Sequence, residues 1–133
     1  MTRGEIWWVD FGVPKGSEAG YRHPAIVVQN NNYNASRIYT TVVIPLSSNL
    51  SLAEHKDNLL LPKNKTHLSK DSVACVPLIT SVDKNQLDEL VAKLSDEDME
   101  MIVGGSWSDI WNKCKKVALA AVVVVGVVAL SAA

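Results

Sequence analysis

The feature that most constrains the fold is a series of short apolar segments, rich in β-branched and aromatic residues, over positions 1–83. Such residues favour β-strands, whereas the Gly, Pro and Asn clusters between the segments favour turns. The predicted strands are Ile6–Phe11, Ala25–Gln29, Ile38–Ile44, Asn58–Leu61 and Ser72–Leu78. Several short strands at this spacing predict a small, strongly curved sheet or barrel. Pro45 predicts a sheet edge or a bulge near the end of the third strand, because proline lacks an N–H.

Helical patterns appear only late in the chain. Asp83–Gln86 resembles a capping box, and apolar residues follow it at helical spacing, which predicts a helix that runs to Lys93. Ser95–Asp98 predicts the start of a second helix, because its carboxylates suit the positive N-terminal end. Met99, Ile102 and Val103 would form its apolar face before Gly104–Gly105 ends it.

Charge, cysteine context and histidine spacing limit the functional classes, and any binding of nucleic acid must come from a local patch. The chain has 133 residues, enough for one domain with a core, and its net charge of −1 gives no overall basic field for nucleic acid. Cys75 lies in an apolar run and is predicted to be a buried thiol, and its distance from Cys114 in sequence favours a reducing, cytoplasmic setting. The three histidines are isolated, so we expect no metal site and no cofactor. The N-terminus carries no apolar export signal.

The polar loop Gly16–Pro24 leads directly into the predicted second strand. Its last residues include Arg22, a permanent cation, and His23, an imidazole that titrates near neutral pH. Phosphate chemistry can use such a pair at the mouth of a strand. The same residues also fit a surface hairpin loop whose side chains are simply solvated.

Several segments resemble, in order and spacing, the MazF/PemK toxin endoribonucleases. The resemblance covers Thr2–Val103. Its segments are Arg3–Phe11, Gly16–Pro24, Tyr33–Arg37, Pro45–Asn49, Lys70–Val73 and Ile79–Lys84. It implies an SH3-like, curved β-barrel with a C-terminal helix that forms a homodimer, cuts single-stranded RNA without metal and is held inactive by a MazE-like antitoxin. In this family the segment around Leu87–Leu94 includes a short strand, in conflict with the helix predicted above.

The resemblance also implies the catalytic residues. In such an enzyme the RNA 2′-hydroxyl attacks the adjacent phosphorus, so the protein must move protons and stabilise a charged phosphorane. The family has an Arg directly before the loop-ending Pro and a Thr after the third strand. Here His23 precedes Pro24, Arg22 stands one residue earlier, and Ser47 replaces the Thr. The hypothesis is that Arg22 clamps the phosphate, His23 exchanges the proton and Ser47 binds a phosphate oxygen.

Further residues are assigned to RNA binding, because unstacked bases are read by aromatic, Arg and polar side chains. They are Glu18, Tyr33, Arg37, Ser48 and Asn49. Trp7 and Trp8 point to opposite faces of their strand, so at least one is expected in the core or a dimer interface. Two alternatives stay open: a catalytically decayed RNA-binding module, and a CcdB-like toxin that binds gyrase on the same fold.

The sequence divides at Gly105. Residues 1–105 form the predicted toxin domain, and residues 106–133 form an atypical tail that lacks charge from Val117 onward. The uncharged part of this tail, the 17 residues from Val117 to Ala133, is near the minimum length for crossing a bilayer, and the Trp and Lys residues before Val117 suit the cytoplasmic interface. The tail therefore predicts an anchor to the inner face of a membrane. It also fits a segment that packs on a partner, or an extension foreign to the domain.

Overall fold

The computed structural model describes residues 1–13 and 21–104, with side chains up to Ile102. The strands are β1 (Glu5–Asp10), β2 (Arg22–Val27), β3 (Thr40–Ser47), β4 (Leu59–Leu61), β5 (Ser72–Ala74), β6 (Thr80–Asp83) and β7 (Leu87–Lys93). The helices are α1 (Asn31–Asn34), α2 (Lys63–Thr66) and α3 (Asp96–Met99), which continues into a π-helical segment at Glu100–Gly104; 3₁₀ turns lie at Leu50–Glu54, Val76–Leu78 and Lys84–Gln86. The predictions for Glu18, Cys114 and the tail from Ser106 lie outside the described residues and stay predictions.

The strands form one antiparallel sheet in the order β4-β5-β3-β2-β1-β7, and β6 also pairs with β3. β3 is the centre of the sheet because it pairs with three other strands. Within the described residues no pairing joins the two outer strands, β4 and β7, so the curved sheet is not closed into a barrel. The predicted mainly β class is confirmed.

Successive side chains along each strand point to opposite faces of the sheet, and an apolar cluster lies against each face. The larger cluster includes Ile6, Ile26, Ile44, Leu46, Met99 and Ile102. The second includes Val9, Ala25, Val27, Val43 and Val82. The α3 helix covers the larger cluster. The Ser95 hydroxyl caps the N-terminus of this helix by accepting a 3.1 Å hydrogen bond from the Asp98 N–H. This confirms the predicted start of the late helix and the burial of Met99 and Ile102.

The helix predicted over Leu87–Lys93 is wrong, because this segment is β7. The capping-box bond exists, since the Asp83 N–H donates to Gln86 Oε1 at 2.7 Å, but it closes only a single 3₁₀ turn. β7 then pairs along β1, with irregularities between Ile6 and Trp7 and between Trp8 and Val9. The two irregularities break the strict alternation of a strand, so an apolar spacing typical of a helix is accommodated at the sheet edge.

Pro45 lies inside β3 rather than at an edge. It stands opposite Ala25 of β2, and its carbonyl accepts a 3.0 Å hydrogen bond from the Cys75 N–H. The missing N–H faces that same side of β3, where pairing with β6 ends at Val43 and pairing with β5 begins at Leu46. The proline is tolerated because this break between two partner strands needs no donor.

Candidate active site

A pocket of about 250 Å³ opens beside the ends of β2 and β3. It is lined by Trp8, His23, Pro24, Leu46, Ser48, Leu68, Ser69, Lys70 and Ser72. Four strands and the loop before β5 thus contribute to one concave surface. The pocket combines an aromatic wall with an imidazole, several hydroxyls and an ammonium group, which is a composition suited to an anionic ligand with flat rings.

The strand register places the predicted His23 and Ser47 on one face of the sheet, although only His23 is among the residues that line the pocket. The last pair between β2 and β3 is Ala25–Pro45. His23 and Ser47 each stand two residues beyond that pair, so the alternation of the strands directs them to the same side of the sheet. Beyond the pair β2 continues along β1 while β3 continues along β5, which separates the two strand ends and leaves an opening between them.

The residues after β3 form a tight polar turn at the pocket rim. Ser47 Oγ accepts a 3.1 Å hydrogen bond from the Asn49 N–H. Asn49 Oδ1 accepts from the Ser51 N–H at 3.2 Å and from the Ser51 hydroxyl at 2.7 Å, which caps the following 3₁₀ turn. Asn49 therefore holds the rim in place, and Ser48 between them lines the pocket.

Arg22 lies at the entrance to β2, after Tyr21, which adopts a left-handed backbone conformation with φ of 56°. Its Nε is 3.1 Å from Asp88 Oδ2, and its Nη2 is 3.1 Å from Glu89 Oε2. The guanidinium carbon lies 4.6 Å from the ring centroid of Trp8, in cation–π geometry. Because Trp8 lines the pocket, its contact with Arg22 places the guanidinium next to the pocket.

The structure does not bring every predicted RNA-binding residue to this pocket. Tyr33 in α1 packs against the larger apolar cluster, and Arg37 lies exposed in the loop before β3. Both precede the start of β3, whereas the pocket lies at its far end. An eight-residue strand spans about 26 Å, so these two side chains lie well away from His23.

Among the predicted site residues that the structure describes, only His23 and Ser48 line the pocket, and the missed lining residues include Trp8 and Lys70, which supply an aromatic ring and an ammonium group. The strand alternation that separates Trp7 from Trp8 was the available signal: Trp7 packs against the second apolar cluster, and Trp8 faces the pocket. Lys70 was part of a segment that resembles the family, but it carried no assigned role. The carboxylates of Asp88 and Glu89 were missed because a helix was predicted for this segment, and a helix there gives no reason to expect pairing with β1.

Other sequence expectations concern the rest of the domain. Cys75 is buried as predicted, and burial raises the pKa of its thiol. Over residues 1–13 and 21–104, no group of three or more His, Cys, Asp or Glu side chains could hold a metal ion. In the same part of the chain, no helix has the length and apolar character needed to cross a membrane.

Two curated proteins of similar sequence carry the name endoribonuclease. Endoribonuclease MazF6 of Mycobacterium tuberculosis is 38% identical over 94 residues, covering 71% of this chain and 82% of that protein. Endoribonuclease MazF of Staphylococcus saprophyticus is 31% identical over 102 residues, covering 77% of this chain and 84% of that protein. Both matches span most of each protein, so the similarity extends over a whole domain.

Solved structures share the fold. The crystal structure of MazF from Deinococcus radiodurans superposes with a TM-score of 0.67 at 23% identity, covering 84% of this chain and 96% of that one. A mycobacterial endoribonuclease in complex with its cognate antitoxin superposes with a TM-score of 0.57 at 18% identity, covering 77% and 84%. The expected MazF-like architecture is confirmed by these superpositions.

Residues 2–104 match the family described as PemK-like, MazF-like toxin of type II toxin–antitoxin systems. The match covers the sheet, the pocket and the late helix, and it agrees with the family expected from the sequence segments. The chain belongs to the PemK-like, MazF-like family of type II toxin–antitoxin toxins.

Proposed function

We propose that this toxin is an endoribonuclease that cleaves single-stranded RNA through the 2′-hydroxyl in the pocket between β2 and β3. The observation that carries the proposal is a pocket lined by an imidazole, hydroxyls and one cation, with a second cation stacked on its aromatic wall. His23, Ser48 and Lys70 line it, and Arg22 lies against its Trp8 wall. The curated relatives are named endoribonucleases, which supports the same reaction class.

The proposed mechanism gives each side chain one task. The neutral imidazole of His23 accepts the proton of the 2′-hydroxyl, whose oxygen then forms a bond to phosphorus. Arg22 stabilises the negative phosphorane, with Lys70 as a second cation, and the Ser47 hydroxyl donates a hydrogen bond to a phosphate oxygen. The imidazolium returns its proton to the 5′-oxygen as the P–O bond breaks, leaving a 2′,3′-cyclic phosphate and a 5′-hydroxyl.

The remaining residues would bind RNA around this centre. Ser48 and Asn49 form the pocket rim, so they are placed to contact nucleotides next to the scissile phosphate. Tyr33 and Arg37 lie at the other end of β3 and would contact RNA farther along the strand. Glu18 belongs to the same proposal on the strength of the family resemblance.

The proposal includes two protein partners. A structural neighbour is a complex of MazE and MazF from Deinococcus radiodurans, and another contains a mycobacterial endoribonuclease with its cognate antitoxin. We propose that this chain is likewise neutralised by a MazE-like antitoxin and that it forms a homodimer, as the family resemblance implies. Antitoxin segments of this kind are typically disordered and acidic and fold on binding.

The test uses the purified full chain and a long RNA in excess EDTA. We expect fragments with 5′-hydroxyl ends, and a loss of about 10²–10⁴-fold in rate for His23→Ala, as for removal of a general acid–base group. Arg22→Ala, Ser47→Ala and Lys70→Ala should each slow cleavage, whereas His55→Ala, an exposed histidine outside the pocket, should not.

Three results would overturn the proposal. Full activity of the pocket variants would place the chemistry elsewhere. Retardation of RNA without cleavage would identify a decayed RNA-binding module. Inhibition of gyrase without RNA cleavage would identify a CcdB-like mode of action.

A further inference from the structure

Two adjacent carboxylates of β7, Asp88 and Glu89, both bind the guanidinium of Arg22. We propose that this pair is an internal competitor for RNA: it occupies Arg22 in the free toxin and must release it when a phosphate enters the pocket. The inference rests on the proposed function, because it concerns the same Arg22 and the same substrate.

The backbone arrangement that presents the two carboxylates is unusual for a strand. Consecutive residues of a strand point to opposite faces, so only one of the two would normally reach Arg22. Here Trp8 stands opposite Glu89 and Val9 stands opposite Leu87, which leaves Asp88 as an extra residue without an opposite partner. A bulge of this kind re-aims a side chain, and it directs Asp88 and Glu89 to one cation.

The contacts use the donors that a phosphate would need. Asp88 accepts from Nε and Glu89 accepts from Nη2, so these bonds use two of the five N–H groups of Arg22. Guanidinium binds phosphate best through such pairs of donors, and two carboxylates therefore compete with it directly. They also leave this cluster of three charges with a net negative charge, which repels an RNA backbone.

A phosphate could replace the two carboxylates on Arg22 at little cost in stability. The side chains of Arg22, Asp88 and Glu89 are 47%, 55% and 68% exposed, and exposed ion pairs of this kind contribute little net stability. Stacking on Trp8 would keep the guanidinium near the pocket after the carboxylates let go. Release thus requires only a local movement of one side chain.

The test compares the full-length wild type with the double variant Asp88→Asn/Glu89→Gln. Binding is measured by fluorescence anisotropy with a 2′-O-methyl RNA oligonucleotide, which lacks the attacking hydroxyl. We expect the double variant to bind about three- to ten-fold more tightly at low salt, with the gain shrinking as ionic strength rises. The KM for RNA cleavage should fall in parallel.

Two controls separate competition for Arg22 from a general change in charge. Glu97→Gln/Glu100→Gln removes the same charge from two exposed residues, one in α3 and one directly after it, neither of which lines the pocket, and this variant should bind RNA like the wild type. In an Arg22→Ala background, the β7 substitutions should no longer strengthen binding. The single variants Asp88→Asn and Glu89→Gln each give a smaller gain and serve if the double variant does not fold.

Unchanged or weaker binding by the β7 variants would overturn the competition. A fall in kcat with unchanged KM would also overturn it, because the carboxylates would then position Arg22 for the reaction. If the wild type cleaves RNA and the variants bind it equally, only this inference fails. If the wild type neither binds nor cleaves RNA, the proposed function fails as well.

Discussion

Replacing Asn34 by Ala should destabilise the domain more than any surface substitution in the same turn. The Asn34 side chain is buried, and its Oδ1 accepts hydrogen bonds from Gln29 Nε2 at 2.9 Å and from the Thr41 hydroxyl at 2.8 Å. Its Nδ2 donates to the Gln29 carbonyl at 2.9 Å and to Asn31 Oδ1 at 3.2 Å. This amide therefore makes all four hydrogen bonds available to it and ties α1 to β3.

The magnitude follows from the partners that are left behind. In Asn34→Ala the buried Thr41 hydroxyl and the Gln29 carbonyl lose the partners described above, whereas the Gln29 amide keeps the Thr40 carbonyl at 3.1 Å. Each buried polar group without a partner costs about 1–3 kcal/mol. A loss of about 3 kcal/mol in the free energy of unfolding would lower the Tm by roughly 10–20 °C.

The assay is thermal and urea unfolding of the full chain, followed by circular dichroism, in a double-mutant cycle with Thr41→Val. Thr41→Val alone should cost about 1 kcal/mol, but it should cost nearly nothing in the Asn34→Ala background, where it removes the unpaired hydroxyl. The exposed Asn32→Ala should change the stability by less than about 0.5 kcal/mol. Additivity of the two buried substitutions within about 0.5 kcal/mol would refute the network.

Two further predictions concern the stability of other elements. The hydrogen bond from the Lys65 ammonium, 2.7 Å long, holds the pKa of Asp98 below its usual value, so this pair stabilises the folded chain above about pH 4 and loses its effect as the pH falls through the lowered pKa. Lys65→Met should therefore cost about 1 kcal/mol in urea unfolding at pH 7 and progressively less toward pH 2, since Lys65 is half exposed; an equal cost at both pH values would contradict this. Gly4→Ala should lower stability by about 1–3 kcal/mol, because its φ of +96° is a backbone conformation that residues with a Cβ rarely adopt. Gly12→Ala is the matched comparison, since it has a φ of +73° and nothing within 4 Å of an added Cβ, so it should also lower stability; unchanged stability of both variants would contradict the role of backbone strain.

Most of the fold could be predicted from local patterns. The apolar, β-branched segments become strands because their side chains alternate between two buried faces, as Ile26 and Val27 do. The Ser95 cap and the apolar residues after it are equally local signals, and they place the late helix correctly. The prediction failed at Leu87–Lys93, because helical spacing there could not reveal that β1 still had an unpaired edge.

The candidate catalytic site depends on both the local sequence and the tertiary structure. The sequence by itself determined the β-rich class, the family and the choice of Arg22, His23 and Ser47, since all of these follow from the types and order of neighbouring residues. Only the tertiary structure placed Trp8 and Lys70 in the same pocket as His23. It alone paired Arg22 with Asp88, which is 66 positions away in the chain. Contacts of that range depend on strand register and on a bulge in β7, and the local sequence specifies neither.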